Sequence, residues 1–96
     1  MDEQAIWKIL GYIEEYLPEP KSGWPIIQIQ QRSYERWAAS EILKDIIERP
    51  FTDAAFLIEN FILKMEFFLR ISEDLDSSFI FRVAEDTAET VLSLIS

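Results

Sequence analysis

The sequence predicts an all-α fold, a four-helix bundle-like single domain covering residues 1–96. Three observations predict it. The length suits one domain with one modest core, 49% of the residues are apolar, and those residues recur at helical spacing in segments divided by prolines and an acidic turn. The predicted helices span about 3–17, 31–49, 53–72 and 78–94, with an irregular linker at 18–30.

The first predicted helix begins after Asp2, whose side chain suits the N-cap position. One glycine, Gly11, lies inside it and indicates a close approach by another helix. Pro18 and Pro20 end the helix, since proline cannot continue the hydrogen-bond ladder. Its apolar face consists of Ile6, Ile9, Leu10, Ile13 and Leu17.

The linker that follows contains three of the four prolines and one of the two glycines. Residues 26–30 alternate only in part, over too short a stretch to separate an extended segment from a helical one. We expect an irregular start, with the second helix regular from about Gln31 and ended by Pro50. Its apolar stripe consists of Tyr34, Trp37, Ala38, Ile42, Leu43, Ile46 and Ile47.

The third helix has the strongest start signal in the chain. Thr52 suits the N-cap, and Phe51 and Phe56 have the spacing of a hydrophobic staple. The helix is apolar around most of its circumference, apart from a strip of Glu59, Glu66 and Arg70 and a second strip of Asn60 and Lys64. The first strip forms either a solvent-facing edge or a partly buried ion pair. Such a helix is either central in the bundle or also faces a second subunit.

The fourth helix follows an acidic turn at residues 73–78. Its apolar face consists of Ile80, Ala84, Ala88, Val91 and Ile95, broadened by Phe81 and Leu92. Asp74, Asp76, Ser78 and Glu85 match four ligand positions of an EF-hand calcium loop. Phe79 occupies the position that needs glycine, so an acidic helix start is the better interpretation.

The composition excludes many functions. Without cysteine or histidine the chain cannot form disulfides, thiolate metal sites or the usual catalytic triads. The net charge is −9, with −3 in residues 1–50 and −6 in residues 51–96. This field disfavours nucleic acids and anionic membrane surfaces, and leaves a basic protein as a possible partner. The acidic N-terminus does not suit a signal peptide, so we expect a cytoplasmic protein.

We therefore expect a non-catalytic interaction or assembly module that forms a homodimer or larger homo-oligomer and needs no cofactor or metal. The first alternative is an acidic binder or inhibitor of a basic protein. A further alternative, a carboxylate-metal-dependent hydrolase, requires Glu41, Asp45, Glu85 and Glu89 to converge. Trp24 in the linker either folds back as a lid or anchors a partner. The predicted interface residues are Trp7, Trp24, Trp37, Phe61, Met65 and Phe68.

Overall fold

The computed structural model describes residues 3–49, 53–71 and 77–95, without the side chains of residues 69, 71 and 77. The described residues form four helices and no strand, which confirms the predicted all-α, four-helix bundle-like fold. The helices are α1 (Glu3–Tyr16), α2 (Ile26–Glu48), α3 (Ala54–Ile71) and α4 (Ser77–Ile95).

The second helix begins earlier than the sequence predicts. Pro25 takes the cap position with φ −56° and ψ 144°, and its carbonyl accepts hydrogen bonds from the amides of Gln28 (3.0 Å) and Ile29 (3.1 Å). The prediction of an irregular 26–30 segment is therefore wrong. Proline suits a helix start because its fixed φ costs no further entropy there. Ile26 and Ile27 are exposed, so no buried face marks this first turn in the sequence.

The third helix has a different cap from the predicted one. The carboxylate of Asp53 accepts a hydrogen bond from the Phe56 amide (2.8 Å), and its carbonyl accepts one from the Leu57 amide (3.2 Å). Asp53 is thus the N-cap, one position later than predicted. The remaining predicted start and stop signals, Asp2, Pro50, Phe51 and Thr52, lie outside the described residues.

Helices α2 and α3 run antiparallel. Contacts between them recur about once per turn on both helices: Arg49 with Phe56, Asp45 with Asn60, Glu41 with Lys64, and Trp37 with Phe68. Early residues of α3 (Ala54, Ile58) line a groove together with late residues of α4 (Glu89, Leu92), so these helices are antiparallel as well. The chain therefore reverses direction from α2 to α3 and again from α3 to α4.

The four helices form a flattened arrangement. Helices α2 and α4 make the most extensive contact, whereas α1 and α3 do not meet within the described residues. Alanines explain this shape, because Ala38 and Ala39 on α2 and Ala84 and Ala88 on α4 are all fully buried and let the two helices approach closely. The molecule measures 37 × 29 × 18 Å. Helix α3 is consequently an outer helix, and the prediction that it could be central is wrong.

One core lies between the four helices. Its apolar members are Ile9, Leu17, Ala38, Ala39, Ile42, Ile46, Leu57, Phe61, Met65, Ile80, Ala84, Ala88, Val91 and Leu92. Among the described carboxylates, Asp45 is the one buried in this region, at 1% exposure. The two outer helices, α1 and α3, each direct one face into this core and the opposite face away from it.

Candidate interaction surfaces

Two of the six predicted interface residues lie in the core. Phe61 is 0% exposed and Met65 is 1% exposed, so neither can contact a partner, and their place in the predicted interface is wrong. Both belong to the face of α3 that points into the core. Because α3 is apolar on most sides, a helical wheel does not show which of those sides is buried. Trp37 is half-buried, with its ring centroid 5.7 Å from that of Phe61 and 5.4 Å from that of Phe68. Trp37 and Phe68 therefore close the edge of the core between α2 and α3.

Trp24 folds back onto α2. The guanidinium carbon of Arg32 lies 5.3 Å from the centre of the Trp24 ring, and Arg32 also donates a hydrogen bond to the carbonyl of Pro18 (2.8 Å). Gly23 makes the turn possible with φ +94°, a conformation that favours glycine. Trp24 is thus half-buried against Arg32 near the start of α2, and it is not among the side chains that pack on the core. It leaves the outer side of α3 uncovered.

The outward side of α3 carries three exposed apolar side chains, which we call the α3 face: Phe56, Leu63 and Phe67. Their exposed fractions are 45%, 64% and 67%. They lie within about 40° on the helix wheel and span roughly 16 Å along the axis. Phe56 has Arg49 beside it, with the guanidinium carbon 5.6 Å from the centre of its ring. The strip of Glu59, Glu66 and Arg70 borders this face and is exposed, as its solvent-facing interpretation predicted.

Helix α3 is also the one electrically neutral helix among those described. Its two glutamates, Glu59 and Glu66, balance Lys64 and Arg70. In each of the other three helices carboxylates outnumber cations: three to one in α1, four to three in α2 and three to one in α4. The α3 face therefore combines exposed apolar area with a helix of zero net charge in a strongly acidic chain.

A second exposed apolar region lies on α1. A shallow groove of about 450 Å³, which we call the α1 groove, is lined by Trp7, Lys8, Gly11, Tyr12, Glu15, Tyr16 and Leu94. Trp7 and Tyr16 are 64% and 59% exposed. The indole nitrogen of Trp7 donates a hydrogen bond to Glu3 (3.4 Å), and the rings of Tyr12 and Tyr16 lie 5.2 Å apart. Of the predicted interface residues, Trp7 alone lies in this groove.

A polar cluster that was not predicted from the sequence lies between α2 and α3. We call it the Asp45 cluster, and its members are Glu41, Asp45, Asn60 and Lys64. Asp45 accepts hydrogen bonds from Lys64 Nζ (2.9 Å) and Asn60 Nδ2 (3.0 Å), and Lys64 Nζ also lies 3.5 Å from Glu41. The signal was present in the sequence, because Asp45 falls on the helix wheel between the apolar positions Tyr34 and Ala38. A carboxylate inside an apolar arc needs a partner, and the Asn60 and Lys64 strip of α3 supplies it.

The Asp45 cluster favours the charged amine. Burial acts to lower the pKa of Lys64, but the hydrogen bond and the charge of Asp45, together with Glu41, outweigh it and hold that pKa above its ordinary value of 10.5. Burial and the nearby charge of Glu35 likewise raise the pKa of Tyr12 on α1. No buried side-chain nitrogen or oxygen of the described residues lacks a hydrogen-bond partner. The cluster is therefore a satisfied network that fixes the pairing of α2 with α3.

The four carboxylates that a hydrolase would need do not converge. Glu41 and Asp45 are engaged by Lys64, whereas Glu89 lines the groove between α3 and α4. Within the described residues no group of three or more acidic side chains could hold a metal ion. Asp74 and Asp76 of the calcium-loop pattern lie outside those residues, and Phe79 and Glu85 are part of α4.

No family model, no curated protein and no solved structure matches this chain. Among the described helices, none has both the length and the apolar character needed to cross a bilayer.

Proposed function

We propose that this protein is a non-catalytic, cytoplasmic assembly module whose two copies associate through the α3 face. The observation that carries the proposal is the exposure of Phe56, Leu63 and Phe67 along one side of an outer helix. Contiguous exposed apolar side chains of this kind are typical of protein interfaces. Helix α1 does not cover these side chains, because α1 and α3 make no contact within the described residues.

Electrostatics favour a second copy at this face. Two chains of charge −9 repel each other, and the repulsion is smallest where the approaching surfaces are locally neutral. Helix α3 is neutral, and its charges border the apolar strip where an interface has its polar rim. At physiological salt, charges more than about 8 Å apart are largely screened, so the distant acidic surfaces oppose association only weakly.

A two-fold axis sets the same flank of each α3 together, so it pairs opposite charges toward the ends of the face and places the two Glu66 side chains near each other at its centre. On two antiparallel helices related by such an axis, the same flank of each helix meets. A pairing that sets Leu63 against Phe67 of the second copy therefore brings Arg70 beside Glu59 of the second copy. Each copy then contributes the same ion pair at the rim, where such pairs determine orientation more than affinity.

Sedimentation velocity over protein concentrations from about 1 to 100 μM tests the proposal. We expect the sedimentation coefficient to rise with concentration from the monomer value to that of a dimer. Leu63→Glu should shift this transition to at least about tenfold higher concentration, because it places a like charge in each copy of the apolar strip.

Ile47→Glu is the matched control. Ile47 is an isoleucine of α2 with 57% exposure, close to the 64% of Leu63, and it lies on a different helix. This variant makes the same change of charge and should leave the dimer intact. A wild-type chain that sediments as a monomer throughout the range would contradict the proposal, and so would equal effects of the two variants.

A further inference from the structure

We propose that the α1 groove binds a helical segment of a basic protein partner, with an apolar side chain seated over Gly11 and cations of the segment against the surrounding carboxylates. This inference does not depend on association through α3. Helices α1 and α3 have no contact within the described residues, so both faces can be occupied at once.

Gly11 lies in the middle of α1 and lines the groove. A glycine in the middle of a helix costs about 1 kcal/mol relative to alanine. Packing does not explain it here, because a Cβ built on Gly11 would meet no side chain or other helix of the described residues within 4 Å, and its backbone does not need a positive φ. The predicted close approach of another helix of the chain is therefore wrong. The absence of a side chain instead opens the floor of an exposed groove to an incoming group.

Three aromatic side chains line the α1 groove on either side of Gly11. Trp7 lies one turn before Gly11, Glu15 one turn after it, and Tyr12, Tyr16 and Leu94 complete the lining. Tryptophan and tyrosine offer large rigid apolar surfaces with one polar atom each, and they dominate the energetics of protein interfaces. The rings of Tyr12 and Tyr16, whose centroids are 5.2 Å apart, pack against each other and line one side of the groove. An aliphatic side chain fits such a site better than a charged one.

The net negative charge of α1 complements the positive charge of a basic segment. Helix α1 supplies all of the lining except Leu94, and its described charges are three carboxylates and one cation: Glu3, Glu14 and Glu15 against Lys8. Helix α3, by contrast, is neutral. An acidic surround steers a cationic partner toward the groove and repels a second copy of this acidic chain. The groove therefore suits a basic segment, whereas the α3 face suits the chain itself.

Nuclear magnetic resonance with a defined probe tests the proposal. The probe is an amphipathic helical peptide of leucine and lysine, about 18 residues long so that it can form a helix. Two comparison peptides replace either all lysines by glutamate or all leucines by alanine. We expect saturable binding of the leucine–lysine peptide, with the largest shifts at the Gly11 amide and the Trp7 indole. Both comparison peptides should bind at least about tenfold more weakly.

Gly11→Gln separates binding from folding. Glutamine fills the groove without adding charge and raises helix propensity, so this variant should melt at a higher temperature while binding the peptide at least about tenfold more weakly. Ser40→Gln, the same replacement on the exposed side of α2, should leave binding unchanged. Unchanged binding in Gly11→Gln, shifts spread evenly over the acidic surface, or no saturable binding would each overturn the proposal.

Salt distinguishes this proposal from association through α3. Peptide binding should weaken as salt screens opposite charges, whereas self-association of the acidic chain should strengthen. The peptide titration is therefore repeated with Leu63→Glu. Loss of self-association alone leaves the α1 inference standing, and loss of peptide binding alone leaves the α3 proposal standing.

Discussion

Asp45 shows how a single residue can be misassigned from sequence. Its type suggests the solvent side of α2, yet its angular position places it beside Ala38 at the edge of the buried arc. The residue types of α3 supply the explanation, since Asn60 and Lys64 are spaced one turn apart and both reach it. Position on the wheel was therefore the better predictor here. The pairing itself requires knowledge of the helix register, which the sequence of either helix alone does not contain.

Removing one partner from this cluster should cost more than removing both. We expect Lys64→Met to lower the free energy of unfolding by about 2 kcal/mol, because it leaves the buried Asp45 carboxylate with Asn60 as its remaining partner. The double variant Asp45→Leu/Lys64→Met should recover most of that loss. Urea denaturation measures each value, and additive losses in the double variant would contradict this account.

The same cluster predicts how stability changes at alkaline pH. The pKa of Lys64 is raised in the folded state above 10.5, so its contribution is fully present below that pH and is lost as the pH rises through the folded pKa. The raised pKa of Tyr12 acts in the same direction above 10.0. Between about pH 9 and 12, the free energy of unfolding should fall more in wild type than in Lys64→Met. In Tyr12→Phe, the part of this fall that is due to Lys64 should remain. Parallel pH profiles for wild type and Lys64→Met would contradict the assignment.

The bounds of a helix were predicted most closely where its apolar residues lie on a single face. Helices α1 and α4 bury one face each, and their predicted bounds differ from the observed ones by one residue at most at each end. Helix α2 begins five residues earlier than predicted. The isoleucines of its first turn are exposed, so they do not show the helical spacing of a buried apolar face. The existence of α3 was equally clear, but its orientation was not. A helix with apolar residues on several sides does not reveal which side faces the core.

Gly11 provides a test at the level of one helix. Gly11→Ala should raise the free energy of unfolding by up to about 1 kcal/mol, because the added methyl group meets no side chain or other helix of the described residues and alanine favours the helix. For a domain of this size the melting temperature should rise by roughly 4–8 °C. Calorimetry of a chain held below its association range measures the shift. A fall in melting temperature would show that Gly11 has a packing role in the fold.

A charge exchange tests the geometry of the α3 pair. Arg70→Glu should weaken self-association, since it sets two glutamates together at each rim contact. Combining it with Glu59→Arg should restore association to within about threefold of wild type, because the exchanged pair recreates the attraction. Sedimentation velocity measures both variants. An equally weak double variant would exclude this pairing while leaving other arrangements of the α3 face open.

The shape of the whole molecule follows from where alanine occurs. Alanines on both α2 and α4 allow the close contact that pushes α1 and α3 to opposite sides. The sequence analysis predicted four helices and one core, but it did not predict which pair of helices lies in the centre. That choice depends on matching small residues across two helices that are far apart in the chain. It also decides that the unpartnered surfaces lie on α1 and α3.

The central contact of α2 with α4 should resist enlargement. Ala88→Leu should destabilise the fold by about 2–3 kcal/mol, since a fully buried alanine leaves no room for a branched side chain. Ala55→Leu, an exposed alanine on α3, serves as the control for the change of residue type. Urea denaturation compares the two. Equal stability of the two variants would contradict the close approach of α2 and α4.

The central claim is that two copies meet through the α3 face, and site-specific cross-linking measures it directly. The chain has no cysteine, so Leu63→Cys and Ile47→Cys each introduce one thiol into a clean background. A short bis-maleimide should link Leu63→Cys chains into covalent dimers much faster than Ile47→Cys chains, at a protein concentration within the association range. Equal rates of cross-linking at the two positions, or no covalent dimer at position 63, would contradict the claim.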